Sequence, residues 1–545
     1  MSTTTIRPAS ARAKSRLSYG RLKAWLVARA TSPETCLWLV IQLAVLHAAL
    51  WTLILINLKS GQDVHMDVAE AFAWGQKFQL GYGKHPPLAG WIAGLWFKLF
   101  PVTDWATYAL AMTTVSTGMV ICWFIALRTV DRKRAFLVVV MLALYPIFNF
   151  KGFKYNPDLL QLVTLPLVVL AYLNAFEKRS WRSGIWLGLA GALALMTKYW
   201  VLTMFGAIGL AALIHPERTK FLGSPAPWVA IATLVIAMIP HLVWLSDVHF
   251  VPLAYAGETY SLHDRLFVTE LVFNYVVHNL ALLALPVVLA ALAIALPSWW
   301  KLLRRAPLRI ITRRFITGSW AHGANPGVNI SQAQNIWMIQ TVVAIGPPLG
   351  ALAFSIYLKT DWGISLFFLV PLALVAIPTL RVQRASLFNI VVIWLVLSLA
   401  TAAASPWIAE RVIAANSNNT SAYGARSELA RELTQAWHTR FGSRWAIVAG
   451  TMDTIQPMAF YSPDHPRPFT PNEAWSSGLA SLDDLKRFGF IGVFDSTDYR
   501  LPAFEKWIAE TAPNAEHVVM TTRRFIHGRA GPSMTWNVYI VPPVK

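Results

Sequence analysis

The sequence predicts an all-α polytopic membrane protein that ends in a small C-terminal α/β soluble domain. Three observations predict it. Of 545 residues, 56% are hydrophobic and 14% charged, more apolar surface than one soluble core can hide. The apolar residues gather into runs near the ~20 residues that a helix needs to cross a bilayer, for an expected total of about 11–13 transmembrane helices. From about Pro406 the composition becomes that of a soluble domain.

The runs are Cys36 to Ile56, Trp105 to Leu127, Ala135 to Phe150, Leu159 to Phe176, Gly184 to Thr197, Tyr199 to Ile214, Trp228 to Leu245, Leu271 to Leu296, Ile336 to Leu358, Ile364 to Leu380 and Leu387 to Ala404. The third, fifth and sixth are short. Basic loops resist translocation, so Lys and Arg in the connections set direction. Bases crowd the segments before Cys36 and at 128–134, 178–182, 218–220, 301–314 and 381–384, whereas Asp63, Asp67, Glu70, Asp104, Asp158, Asp247, Glu258 and Asp361 fall in the alternate connections. This places the N-terminus in the cytoplasm and the C-terminal domain outside it, for a multi-pass inner-membrane protein.

The net charge of +20 comes from these short clusters, not from a basic stripe on a soluble domain, so nucleic acid is excluded as a partner and the bilayer is expected. Cys36 and Cys122 lie in apolar runs and are too few for a disulfide framework or a thiolate metal cluster. Residues 1–35 read as a basic cytoplasmic tail against anionic lipid, because the first apolar run has full membrane length and lacks a small-residue cleavage site. Residues 36–405 form the membrane domain. In residues 406–545, a helix is expected over Ser427 to Phe441 and strands at Trp445 to Ala449, Phe490 to Phe494 and Val538 to Val541. That domain holds no Gly-rich phosphate loop or HExxH, so it reads as a lid or docking element.

The connection Gly61 to Pro101, GQDVHMDVAEAFAWGQKFQLGYGKHPPLAGWIAGLWFKLFP, is too polar at its start to span. Val68 to Leu80 fits a short helix with Asp67 and Glu70 on one face. Pro86 and Pro87 open a second helix that lays Trp91, Leu95, Trp96 and Leu99 on the lipid interface. Isolated surface charges of this sort commonly only solvate a loop. Here the acids are held by amphipathic helices beside a proline-fixed turn carrying Lys84 and His85, at the boundary of water and lipid.

The run Asp67-Val68-Ala69-Glu70, then Trp74-Gly75-Gln76, Gly81-Tyr82-Gly83-Lys84-His85-Pro86-Pro87-Leu88 and Trp91, resembles the first outer loop of family 39 glycosyltransferases of the GT-C fold. That family includes protein O-mannosyltransferases and aminoarabinose transferases acting on lipid A. Tyr155-Asn156-Pro157-Asp158 and the Gly-rich stretch Gly188 to Tyr199, ending in Thr197-Lys198, extend the resemblance over roughly the first 200 residues. Two positions depart from the family pattern. Val68 stands where an acid commonly follows the first Asp, which leaves the paired-acid role to Asp67 with Glu70 or Asp158. His85 stands where a cation directly precedes the proline pair, with Lys84 one place earlier.

The resemblance implies a sugar donor linked through phosphate to a polyprenyl chain and an acceptor hydroxyl on an envelope glycolipid such as lipopolysaccharide, another glycan or a protein. Displacement with inversion needs a carboxylate to take the hydroxyl proton, and Asp67 is the expected base, with Asp158 and Glu70 completing the catalytic set. The leaving phosphate needs fixed cations or donors, and Tyr82, Lys84, His85 and Lys198 are the candidates. Lys198 also fits a snorkelling lysine, and Asp158 a helix cap. No metal or other cofactor is required; Asp63, His65, Asp67 and Glu70 leave optional divalent-cation binding open. Tyr255, Glu258, Tyr260, His263 and Arg265, with the turn Lys359-Thr360-Asp361-Trp362, are weaker pocket candidates. The alternative function is a polytopic transporter or lipid-linked-sugar flippase; against it, the ionisable groups avoid the bilayer midplane and no repeated halves are visible.

Overall fold

The computed structural model describes residues 19–262, 264–303, 327–415, 421–471, 473 and 479–544. The start of the basic tail, His263 and residues 304–314 of the longest basic connection lie outside the described residues.

Among the described residues seven helices are long and apolar enough to cross a membrane. They are α2 (Cys36–Leu58), α5 (Asp104–Thr129), α7 (Pro157–Lys178), α11 (Pro225–Asp247), α13 (Arg265–Leu303), α14 (Ile330–Phe354) and α16 (Arg384–Ala415). Helix α1 (Tyr19–Thr31) precedes them. An eighth span exists if α6 (Arg132–Leu144) and the segment Pro146–Phe153, bent by 78°, are counted together. The break has a covalent cause: Pro146 offers no N–H and pushes Tyr145 into extended backbone, φ −73° and ψ 129°. The remaining expected runs form shorter elements. They are α8 (Trp181–Leu195), α9 (Leu202–Ile214) after a 3₁₀ turn, and, for Ile364 to Leu380, a 3₁₀ turn Thr360–Leu366 followed by the six-residue α15 (Val370–Val375). Pro371 and Pro378 prevent one continuous helix there. Helix α10 (Arg218–Leu222) fills the connection before α11.

Between α2 and α5 the chain forms α3 (Met66–Gly75) and α4 (Leu88–Leu99); the first of these was expected over Val68 to Leu80 and ends earlier, at Gly75. Leu95 and Leu99 on α4 are exposed, as a lipid-interface face requires. The helices meet at glycines: a Cβ on Gly75 would stand 2.5 Å from the Cα of Gly94, so no side chain fits between them. Helix α12 (Val251–Tyr260) lies between α11 and α13.

Helix α16 continues through Pro406 to Ala415. Beyond it lies a five-stranded sheet of order β2-β1-β3-β5-β4, formed by β1 (Ile447–Gly450), β2 (Arg467–Phe469), β3 (Phe490–Asp495), β4 (Glu516–Ile526) and β5 (Arg529–Val541). β1 runs parallel to β2 and β3; β5 is antiparallel to β3 and β4. Helices α17 (Arg426–Phe441) and α18 (Met452–Tyr461) cover one face, packing Leu433, Trp437 and Met458 on Val448, Ile491 and Trp536. Helices α19 (Leu482–Phe488) and α20 (Leu501–Thr511) cover the other with Leu485, Phe504 and Ile508 on Phe490 and Tyr539. Helices thereby cover both faces of the sheet around β1 and β3 while the edge strand β4 stays largely exposed, the α/β arrangement that its alternating elements predict.

The sheet domain is fastened to α3. Phe460 meets Phe72 edge-on at 5.4 Å, and the Tyr461 hydroxyl accepts from the Val64 amide at 2.6 Å and donates to Asp104 at 2.7 Å.

Candidate active site

Helix α3 starts because the His65 Nδ1 accepts the Asp67 amide at 3.2 Å, a side-chain cap that frees Asp67 to point away from its own backbone. The Asp67 carboxylate accepts a 2.8 Å hydrogen bond from the Asn156 side-chain amide and lies 3.9 Å from the Lys154 ammonium. Burial works to raise this carboxyl, but the His65 ring, Lys154, the Asn156 bond and Lys84 outweigh it and hold it well below the usual carboxylate range. Burial lowers the His65 ring while Asp67, 3.7 Å from its Nδ1, works against that shift.

Glu70, one turn along α3, faces Lys84 at 2.8 Å. Burial raises the Glu70 carboxyl to about 6 despite the lysine. For Lys84, burial pulls downward and Glu70 outweighs it, so the ammonium is held above its ordinary value. Lys84 sits at the corner of a tight turn closed by reciprocal Tyr82 and His85 backbone hydrogen bonds of 2.9 and 3.2 Å. Met452 of the C-terminal domain covers it, with sulfur 3.5 Å from the ammonium. The Tyr82 ring stacks on Trp74 at 5.1 Å, and its buried hydroxyl lies 2.8 Å from the Trp74 carbonyl and 2.7 Å from the Lys77 carbonyl. That side chain supports the turn from beneath. His85 is driven well below its ordinary value by burial, then by Lys198 and Lys84, and is therefore neutral near pH 7.

The second acid stands on α7. Asn156 caps that helix by accepting the Leu159 amide at 2.9 Å, so capping falls to Asn156 and not to Asp158. Asp158 accepts instead from Lys198 at 2.7 Å, and the Lys198 ammonium lies 4.9 Å from the centre of the Trp362 ring. Lys198 is 8% exposed, so it is an internal partner and not a lysine reaching for headgroups. Backbone and side-chain bonds join the pieces: the Leu88 amide donates to the Met196 carbonyl at 2.9 Å, and the Tyr155 hydroxyl to the Ala89 carbonyl at 3.1 Å.

The structure thus brings Asp67, Asp158, Lys84, His85 and Lys198 to one end of the helical bundle, and pairs Glu70 with Lys84. Among the described residues no group of three or more His, Cys, Asp or Glu gathers to hold a metal ion. Asp63 turns away from Asp67 and is gripped by Arg426 and Arg524. Sequence reasoning missed three residues, Lys59, Lys151 and Lys154, which line a cavity of about 300 Å³ beside Asn156 and Asp158. For Lys151 and Lys154 the one sequence signal was the spacing Lys151-x-x-Lys154 immediately before Tyr155-Asn156-Pro157-Asp158.

Residues 84–244 match the family described as dolichyl-phosphate-mannose-protein mannosyltransferase. The matched stretch begins within the first outer loop whose residues resemble family 39 glycosyltransferases. A curated relative, the lipid A galacturonosyltransferase RgtD of Rhizobium johnstonii, is 24% identical over 219 residues, 37% of this chain and 42% of the relative. The match therefore spans less than half of that protein. ArnT of Cupriavidus metallidurans, solved bound to undecaprenyl phosphate, superposes with a TM-score of 0.56 at 10% identity, covering 93% of this chain and 98% of ArnT. Its apo structure gives 0.55 at 11% identity, covering 91% and 98%. The chain has the GT-C fold of ArnT, from its membrane helices to the C-terminal sheet domain.

Proposed function

We propose that this protein moves a sugar from a polyprenyl-phosphate donor to a hydroxyl of an envelope glycolipid, on the extracytoplasmic face of the inner membrane. The observation that carries this reading is the fixed Asp67 carboxylate, ionised and held by Asn156 and Lys154, in one cluster with the Lys198–Asp158 pair and Lys84. The relatives supply the substrate class: one acts on lipid A, and one has been solved with undecaprenyl phosphate. The orientation rests on the distribution of bases, which puts the N-terminus in the cytoplasm and the cluster outside.

In this mechanism the acceptor hydroxyl approaches the anomeric carbon on the face opposite the phosphate. Asp67 takes its proton as positive charge builds on the ring and the bond to the polyprenyl phosphate breaks. Asp67 is a weak base in the ground state. It becomes an adequate acceptor late in the displacement, when the attacking hydroxyl has turned acidic. The departing phosphate is met by Lys84 and Lys198 as cations and by neutral His85 as an N–H donor, in surroundings where fixed donors act more strongly than in water. The C-terminal domain closes over Lys84 and has a covering role.

The test is transfer by purified protein in lipid, supplied with polyprenyl-phosphate sugars and lipid A. Asp67→Asn is expected to lower the rate by about 10²–10⁴-fold, the span that loss of a positioned base produces. An unchanged rate overturns the assignment of Asp67.

A further inference from the structure

The cavity that reaches Lys154 and Asp158 also carries three lysines, Lys59, Lys151 and Lys359, that the proposed reaction does not use. Lys59, Lys151, Lys154 and Lys359 line it, against Asp158 and Asp361. Both acids are already engaged. Asp158 is bound to Lys198 at 2.7 Å, and Asp361 lies 3.7 Å from Lys151 and 3.4 Å from His278. Lys154 shares Asp67 at 3.9 Å. Among the described residues Lys59 and Lys359 have no carboxylate partner; Lys59 rests 3.8 Å from the centre of the Phe153 ring. Lys59 is half-buried and Lys359 exposed, so the fold neutralises neither with a carboxylate, and the cavity they line carries more cationic than anionic groups. Burial, then Lys154, pushes Lys59 down to about 8, the shift an incoming anion reverses.

In the proposed reaction the donor phosphodiester falls to Lys84, His85 and Lys198, and none of these lines this cavity. We propose that the lysine cavity is a separate oxyanion subsite, holding a carboxylate or phosphate carried by a sugar substrate. It discriminates charged from neutral sugars. At about 300 Å³ it is of the size expected for a small polar ligand. Ammonium groups suit either oxyanion, because each is a mobile point charge with three donors and imposes no planar geometry. The source of the anion is either the transferred sugar, as a uronic acid, or the acceptor, as a phosphorylated sugar. The subsite rests on the reading of the neighbouring cluster as a sugar-transfer site, but its test does not use transfer.

Saturation-transfer NMR on the full chain in lipid nanodiscs separates the cases with three matched soluble probes: galactose, galacturonate and galactose 6-phosphate. Binding of either anion in preference to galactose is expected, weakened about tenfold or more by Lys59→Gln or Lys359→Gln and retained in the Lys→Arg variants at the same positions. Preference for galacturonate assigns the subsite to an acidic donor sugar; preference for galactose 6-phosphate assigns it to the acceptor. Raising salt is expected to weaken anion binding and leave galactose unchanged. Equal signals from all three probes, no signal from any, or anion binding that survives both Gln variants in folded protein overturns the subsite. Transfer activity lost in Asp67→Asn with anion binding intact separates the two assignments.

Discussion

The side-chain amide of Asn156 donates to the Asp67 carboxylate at 2.8 Å while its carbonyl accepts the Leu159 amide at 2.9 Å. One residue thus caps α7 and aims the acid on α3. The two roles separate by substitution. Asn156→Ala removes both and is expected to cost about 1 kcal/mol of stability with a transfer rate lowered roughly 10–100-fold. Asn156→Ser restores the cap, because a serine hydroxyl accepts the same amide, but is too short to reach Asp67. Its melting temperature should return toward wild type while its rate stays low. Recovery of both together means that the Asp67 contact has no catalytic weight.

Asp158 and Lys198 form a pair whose partners are each largely enclosed, at 2.7 Å. Removing one partner of such a pair leaves the other without compensation. Asp158→Asn and Lys198→Gln are each expected to destabilise the protein, by about 1–3 kcal/mol. The double variant should be more stable than the sum of the singles, because no charge is stranded. If Lys198 meets the leaving phosphate, the double variant regains thermal stability and not turnover. A double variant with near-normal turnover reduces the pair to a structural tie.

How much of this was legible in the sequence depends on the range of the interaction. The first outer loop was readable because its determinants are local: alternation at helical spacing sets α3, and Pro86-Pro87 opens α4. The C-terminal strands at residues 447–450 and 490–495 announced themselves as apolar runs, whereas the short β2 and the half-exposed β4 gave weak patterns. Lys151 and Lys154 were passed over because they lie beyond a run taken as one span to Phe150. After the 78° bend at Pro146, Lys154 comes 3.9 Å from Asp67 and Lys151 3.7 Å from Asp361. Tyr82 was singled out for substrate because a tyrosine in a charged turn invites that reading; its stacking on Trp74 is invisible to spacing arguments. The choice between Asn156 and Asp158 as cap required the direction of each side chain, which neighbouring polar residues in a sequence leave open.

Glu70 carries a pH dependence whose sign follows from its burial. Its carboxyl is raised from 4.5 to about 6 in the folded chain. The folded state therefore holds the proton more tightly than the unfolded state. The associated stability is full below about 4.5 and is lost as pH rises through about 6, a change of order 2 kcal/mol. Glu70→Gln cannot titrate there, so the gap in melting temperature between wild type and variant should change between pH 4.5 and pH 6.5 and be flat above it. The Lys84 shift acts above pH 10 and does not enter this window. A constant gap across that range shows that Glu70 is ionised throughout, held by Lys84 more strongly than burial opposes it.

The grip of the C-terminal domain on the first outer loop centres on Asp63, whose side chain has no exposure and which accepts the Arg426 amide at 2.9 Å while pairing with the guanidinium groups of Arg426 and Arg524. All three charges are at least largely removed from water, so loss of the acid leaves two arginines facing each other across the interface. Asp63→Asn keeps the shape and can still accept the amide, but cannot balance the guanidiniums, and should destabilise the protein by about 3–5 kcal/mol. Asp63 is four residues before Asp67, and the segment between them holds Val64, fixed by Tyr461, and the capping His65. Loosening the domain therefore shifts the start of α3, and transfer should fall even though Asp63 touches no substrate. Arg524→Gln removes one guanidinium from the same cluster and should restore part of the stability of Asp63→Asn, since it reduces the unbalanced charge from two to one. Thermal unfolding of the single and double variants in detergent measures this. If Arg524→Gln and Asp63→Asn add without coupling, the arginines are held by the sheet domain alone and the clamp on the loop is not electrostatic.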